Sequence, residues 1–181
     1  MRIEREVEMS EWEQRFIRKI HGVYIRPGLS CMQERTDTLL RRLVDIEVEA
    51  PDEYKQEIVK KANAADCEVI VSFHDHEKTP VREELEQTVD WCFNSGADIA
   101  KIACKADGKD DAARLLGLLD GERRLIVVGM GSEGKIVRVV APLLGSEIAY
   151  VSAGRGKESA SGQMTAEELE RKMKEISDGK D

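Results

Sequence analysis

Two short apolar runs near the middle of the chain each carry a residue able to do chemistry. The first, Val69-Ile70-Val71-Ser72-Phe73, ends in His74-Asp75. The second, Ala97-Asp98-Ile99-Ala100, leads straight into Lys101-Ile102-Ala103-Cys104. A lysine inside an apolar strand is unusual, because burying an unpaired ammonium is costly. An amine whose charge is discouraged by desolvation is a nucleophile toward a carbonyl carbon. Histidine titrates near neutral pH and can take up a proton and then return it. An amine beside an imidazole in an apolar wall is the raw material of Schiff-base chemistry on a keto compound. A helix-length segment separates the runs, so they read as a βαβ unit with parallel strands whose C-terminal ends share one rim. That unit predicts His74 and Lys101 to be near neighbours.

The elements that must position this pair follow from the same patterning. Val44-Asp45-Ile46-Glu47-Val48-Glu49 alternates apolar and acidic residues, a strand with carboxylates along one face. Pro51 opens a helix to about Ala65. The strand to His74 follows, and Thr79-Pro80 begins a helix to Asn94, closed by Ser95-Gly96. After the Lys101 strand come a helix from about Lys109 to Leu119, a buried-type strand from Arg124 to Met130, and a helix from Lys135 to Leu144 with Pro142 late in it. The strand Ile148–Ser152 precedes a loop rich in glycine and serine, and Thr165 with Glu168 three residues on spells a capping box for a last helix. Upstream, residues 1–22 carry Trp12, Phe16 and Ile20 as one apolar stripe on a charged helix. Val23-Tyr24-Ile25 is a short β-type run, and Leu39, Leu40 and Leu43 fall at helical spacing.

This predicts an α/β fold with six βα units and no antiparallel signal. Chemistry-capable residues at the ends of several strands favour the rim of a (β/α) TIM-type barrel over a doubly wound sheet. Six strands cannot close an eight-strand barrel, so the barrel is expected to be incomplete, its seam covered by the N-terminal helix or a second subunit. Residues 1–22 are assigned as a divergent N-terminal helix and residues 23–181 as one catalytic domain. Gly129-Met130-Gly131-Ser132-Glu133-Gly134 has dinucleotide-loop spacing, but on a late strand and with no acidic residue at ribose distance, so it carries little weight.

Composition narrows the function. The 181 residues are 35% charged and carry a formal net charge of −8. That balance argues against nucleic acid or an anionic membrane as partner. No apolar run reaches membrane-spanning length, and the charged N-terminus does not resemble a secretory signal. The four cysteines, Cys31, Cys67, Cys92 and Cys104, lack CxxC spacing and a paired histidine. They are read as reduced thiols of a cytoplasmic protein rather than metal ligands. Lys101 stands out on its own chemistry. A strand histidine such as His74 is by itself more often structural, His21 and His76 read as surface residues, and Arg138 shares a helical face with Lys135.

Set in order, these segments resemble the type I 3-dehydroquinate dehydratases, the Schiff-base dehydratases of the shikimate pathway. Asp45-Ile46-Glu47-Val48, then Val69 to Asp75, resemble that family's signature, with His74 in its place and Lys78-Thr79-Pro80 just after it. Gly96 to Ala103 resembles the segment bearing the Schiff-base lysine. Gly129-Met130-Gly131, Gly134, Arg138 and Leu144-Gly145-Ser146 match the part supplying a carboxylate-binding arginine. Ser159-Ala160-Ser161-Gly162-Gln163 resembles the closing loop. The resemblance implies a (β/α)8 barrel and syn elimination of water from 3-dehydroquinate. Lys101 would form the imine, His74 would move the proton, and Arg138, Ser159, Gln163 and Arg26 would bind substrate. It implies no metal or organic cofactor, and a homodimer is expected.

The chain departs from the family pattern in three places. Phe73 precedes the histidine where the family has a smaller or hydrogen-bonding residue, which predicts a more apolar pocket wall. If Arg26 is the family's third-strand arginine, Ser30 falls where a glutamate orients the histidine, and Asp45 or Glu47 is expected to take that part. Residues 1–22 are too few for the family's first two strands. The alternatives are a non-catalytic homologue binding another small carboxylic acid, and an aldolase-like Schiff-base enzyme using Lys101.

Overall fold

A parallel sheet carries the central apolar runs. The computed structural model describes residues 43–152 and 162–178 in full and residues 23–25 in backbone only. Strands β2 (Leu43–Glu47), β3 (Glu68–Asp75), β4 (Ile99–Lys105) and β5 (Leu125–Met130) lie side by side in chain order, all parallel; β1 (Val23–Ile25) lies outside that sheet. They are linked by α1 (Asp52–Ala64), α2 (Arg82–Asn94) and α3 (Lys109–Gly117), the last tightening into a 3-10 turn over Leu118–Asp120. Then α4 (Lys135–Leu144) follows β5, β6 (Ile148–Tyr150) follows α4, and α5 (Ala166–Ser177) closes the described chain.

The two faces of the sheet differ. Ile46, Val69, Val71, Ala100, Ile102, Cys104, Leu125 and Val127 point one way, into a core with Ile58 and Ala62 of α1, Leu85, Val89 and Cys92 of α2, Leu115 of α3 and Val137 of α4. Each fully buried Leu, Ile or Val there contributes about 1.5–3 kcal/mol. The other face holds a smaller apolar floor of Ile70, Ile99, Ala103, Ile126 and Val128, joined by Ile148, with no helical residue in it. Among the described residues, four helices lie on one face and none on the other, the layering of a (β/α) barrel wall in which the bare face lines the interior. The barrel is not closed among the described residues: four strands form one sheet and two form another.

That second sheet departs from the sequence reading. Strand β6 pairs antiparallel with β1, Tyr150 opposite Val23 and Ile148 opposite Ile25. The parallel ladder ends at β5 because the buried Ser146 hydroxyl accepts the Val127 N–H at 3.1 Å, and Glu147 N donates to Leu125 O at 2.8 Å. β6 therefore lies beside β5 without joining its ladder. It also stops at Tyr150 rather than Ser152, which forms an isolated bridge to Thr165.

Helix boundaries otherwise follow the local signals closely. α2 begins at Arg82, not Thr79, because the Thr79 hydroxyl donates to Lys105 O at 2.7 Å and Val81 caps the helix in an extended conformation. Thr165 and Glu168 form the expected reciprocal capping box on α5, whose Leu169 and Met173 pack with Val139, Val151 and Met164. The glycines around β5 have a packing reason. A side chain on Gly134 would meet Gly129 C at 2.4 Å, so the start of α4 rests directly on the strand backbone. The dinucleotide-like spacing thus serves close helix–strand approach. Among the described residues no helix is long and apolar enough to cross a membrane. The assigned helix over residues 1–22, Cys31 and the seam cover lie outside the described residues.

Candidate active site

The bare face of the sheet carries a band of polar side chains. In the parallel register Glu47 pairs with Ser72 and Ser72 with Lys101, so Asp45, Glu47, Ser72, His74 and Lys101 all project from the same face. His74 is two residues further along β3 than the partner of Lys101. Strand geometry separates their Cα atoms by about 8 Å. The sequence expectation that these two are neighbours on one face therefore agrees with the register.

Lys101 is nearly enclosed, its side chain 11% exposed. Its Nζ donates to Asp45 Oδ2 at 2.9 Å and sits 4.9 Å from the centroid of the Tyr150 ring. The other oxygen of Asp45 accepts from the buried Ser72 hydroxyl at 2.6 Å. Burial favours the neutral amine, but the Tyr150 oxygen and Asp45, with Glu47 behind them, outweigh it and hold the ammonium above its ordinary range. Burial raises Tyr150 above the usual phenol range in turn, so near neutral pH its ring is uncharged, and the carboxylate in contact with Nζ among the described residues is that of Asp45. This corrects the expectation that desolvation alone readies the amine: at rest it is a paired ammonium.

His74 Nδ1 lies 2.9 Å from Glu47 Oε2. Of the two carboxylates on β2, Glu47 meets His74 and Asp45 meets Lys101. On the other side the His74 ring stacks on His76, centroids 6.0 Å apart and planes within 6°. Asp75 shapes the turn that follows by accepting from the Glu77 and Lys78 N–H groups at 2.9 and 3.0 Å. Phe73 faces the helix layer, so it does not make the pocket wall more apolar, contrary to expectation.

Arg138 reaches the same region from α4. It is 7% exposed, its Nε has no hydrogen-bond partner, and burial alone pulls the guanidinium below its usual value. It lines a small cavity with Val128, Pro142, Ile148 and Tyr150, which links it through Tyr150 to Lys101. A guanidinium buried with one of its donors unpaired among the described residues has the fork geometry that suits a carboxylate. Its reading as an exposed helix charge is therefore set aside. Gln163 lies just beyond α4's N-terminal loop: a side chain on the preceding Gly162 would meet Gly131 O at 2.5 Å, and Gly162 has φ +82°. Arg26 and Ser159 lie outside the described residues. No group of three or more His, Cys, Asp or Glu side chains among the described residues is placed to hold a metal ion.

Two residues at this site carry no sequence signal of their own. Ser72 is the one polar residue within the Val69–Phe73 run, two before His74 and so on its face. Tyr150 is an aromatic residue on the last strand. His76, expected at the surface, is exposed and stacks on His74 from there.

Comparison with known proteins places this site in context. The family model described as type I 3-dehydroquinase matches residues 33–180. The 3-dehydroquinate dehydratase of Methanococcoides burtonii is 37% identical over 130 residues, covering 72% of this chain and 55% of that protein. The enzyme of the same name from Methanococcus maripaludis is 37% identical over 134 residues, covering 72% and 61%. The chain thus spans a little over half the length of these relatives. Among solved structures, the Clostridium difficile type I 3-dehydroquinate dehydratase with covalent modified comenic acid superposes with a TM-score of 0.69 at 29% identity, over 81% of this chain and 59% of that one. The Aquifex aeolicus 3-dehydroquinate dehydratase gives 0.60 at 31% identity, over 82% and 67%. These neighbours are TIM barrels.

Proposed function

The chain belongs to the type I 3-dehydroquinase family, and from that premise we propose that it dehydrates 3-dehydroquinate to 3-dehydroshikimate through an imine on Lys101. The observation that carries the reading is the enclosed Lys101 amine on the same face as the His74–Glu47 pair.

The steps follow from the side chains. The substrate carboxylate binds the buried guanidinium of Arg138, whose Nε has no partner among the described residues, with Ser159, Gln163 and Arg26 as further contacts. Once deprotonated, Lys101 Nζ attacks the C3 ketone carbon, and loss of water from the carbinolamine leaves an iminium. The iminium draws electrons from the adjacent C2–H bond. His74, its ring fixed by Glu47, removes that proton. The electron pair re-forms as the C1–C2 double bond, the C1 hydroxyl leaves, and His74 protonates it as water. Hydrolysis of the conjugated imine returns the free lysine. The Clostridium difficile neighbour was solved with covalent modified comenic acid; a covalent bond to an acidic ligand is what an amine placed like Lys101 would form. A homodimer in the cytoplasm belongs to the same reading, and sedimentation checks the dimer.

The test is the rise of enone absorbance with 3-dehydroquinate, beside borohydride trapping. Wild type turns over and is trapped as a covalent adduct mapping to Lys101. Lys101→Ala loses both. His74→Ala still forms the adduct but turns over about 10²–10⁴-fold more slowly, the usual worth of a general acid–base. A wild-type chain that neither turns over nor is trapped overturns the proposal.

A further inference from the structure

An ammonium cannot attack a carbonyl, and the proton on Lys101 must go somewhere before the first bond forms. Asp45 is the carboxylate within hydrogen-bond distance of Nζ among the described residues, at 2.9 Å. His74 stands about 8 Å away by strand geometry, its Nδ1 occupied by Glu47. The geometry points to Asp45 as the group that shuttles this proton through imine formation, resting on the dehydratase reading above. Its carboxylate takes one proton from the ammonium as the C3–N bond forms; a second passes from the nitrogen to the C3 oxygen to give the carbinolamine; and the carboxyl of Asp45 returns the first proton to that hydroxyl as the C3–O bond breaks and water leaves. The ionised carboxylate then lies against the positive iminium. The balance closes: ammonium plus ketone gives iminium plus water, and Asp45 ends as it began.

The surroundings fit this traffic. Ser72 donates to Oδ1, so Oδ2 alone faces the amine. Among the described residues, the charged and titratable groups facing Lys101 are Asp45 and Glu47 from β2, His74 from β3 and Tyr150 from β6, with Arg138 of α4 behind Tyr150 and Lys105 further along β4, paired to Asp107. Glu47 is engaged by His74, and Tyr150 is neutral near pH 7. The proton is therefore Asp45's to take. The enclosed setting makes the carboxylate decisive in both directions: it holds the resting proton and it is the base that removes it.

The experiment separates holding from moving. Competitive labelling of the full chain with acetic anhydride, followed by peptide mapping, reads the pH midpoint at which Lys101 becomes reactive. Borohydride trapping with 3-dehydroquinate reads imine formation. In Asp45→Asn the labelling midpoint falls by about 1–3 pH units, so Lys101 acetylates at least about 10-fold faster at neutral pH, while trapping slows about 100-fold or more. Ser72→Ala, which keeps the carboxylate but frees it, slows trapping with little change in midpoint and serves if Asp45→Asn does not fold. Faster labelling with slower trapping is an opposed pair that general loosening does not produce. An Asn variant with an unmoved midpoint, or with wild-type trapping, overturns the proposal. If wild type forms no adduct while the midpoint still drops in Asp45→Asn, the dehydratase reading fails and the proton pairing stands.

Discussion

Under the proposed reading, Arg138 is a residue that gives up stability for binding. Its guanidinium is buried with Nε unpaired, and desolvation is the sole influence on its charge. A group in that state destabilises the folded chain until an anion arrives. Arg138→Met is expected to raise stability by about 1–3 kcal/mol, seen as a higher denaturation midpoint without ligand. The same variant should lose protection by shikimate-type carboxylic acids, which stabilise the wild type through mass action. A variant that is less stable, or that still gains from the acid, contradicts this. At this scale the sequence was legible where chemistry and position coincide. Lys101 was conspicuous as a cation in an apolar strand, and His74 as the end of a signature. The division of labour between Asp45 and Glu47 was not, because both sit on one strand face and only register tells which meets the lysine. Tyr150 was hidden because its ring reaches Lys101 from a strand far along the chain.

Elements were easier to read than contacts, since caps and periodicity are local. The capping box of α5 and the bounds of α4 came directly from Thr165, Glu168 and the apolar spacing. What periodicity could not supply was pairing: the antiparallel β1–β6 ribbon joins segments more than a hundred residues apart, and neither run carries a signal for the other. Two substitutions test the element level. Thr165→Ala removes one half of the reciprocal cap and should cost about 1 kcal/mol, read by urea denaturation. Gly134→Ala is expected to be harsher, about 1–3 kcal/mol, because the new methyl would meet strand backbone that has no room to yield. If the alanine is tolerated without loss, α4 is not seated on β5 as described.

For the whole molecule, stability should depend on alkalinity in a defined direction. Lys101 holds its proton more tightly when folded, and burial pushes the Cys92 and Cys104 thiols up to about 12. Groups whose folded values are raised contribute stability that is complete below their unfolded values and is lost as pH climbs through the folded ones. The unfolded thiol and ammonium values are about 8.5 and 10.4. Denaturation midpoints should therefore hold through neutral pH and decline from about pH 9 toward 12, and Cys104→Ala should flatten the decline. A curve level to pH 11 would contradict the assignment.

Cys92 of α2 and Cys104 of β4 are both fully enclosed between the helices and the sheet. A disulfide reagent can reach either only after that layer parts, so the chain carries its own stopwatch for cooperative opening. With the half-buried Cys67 as the earlier-reacting reference, the lag before the two silent sulfurs react measures how often the wall breathes. An acid ligand that clamps Arg138 to the lysine side should lengthen that lag without touching a sulfur atom.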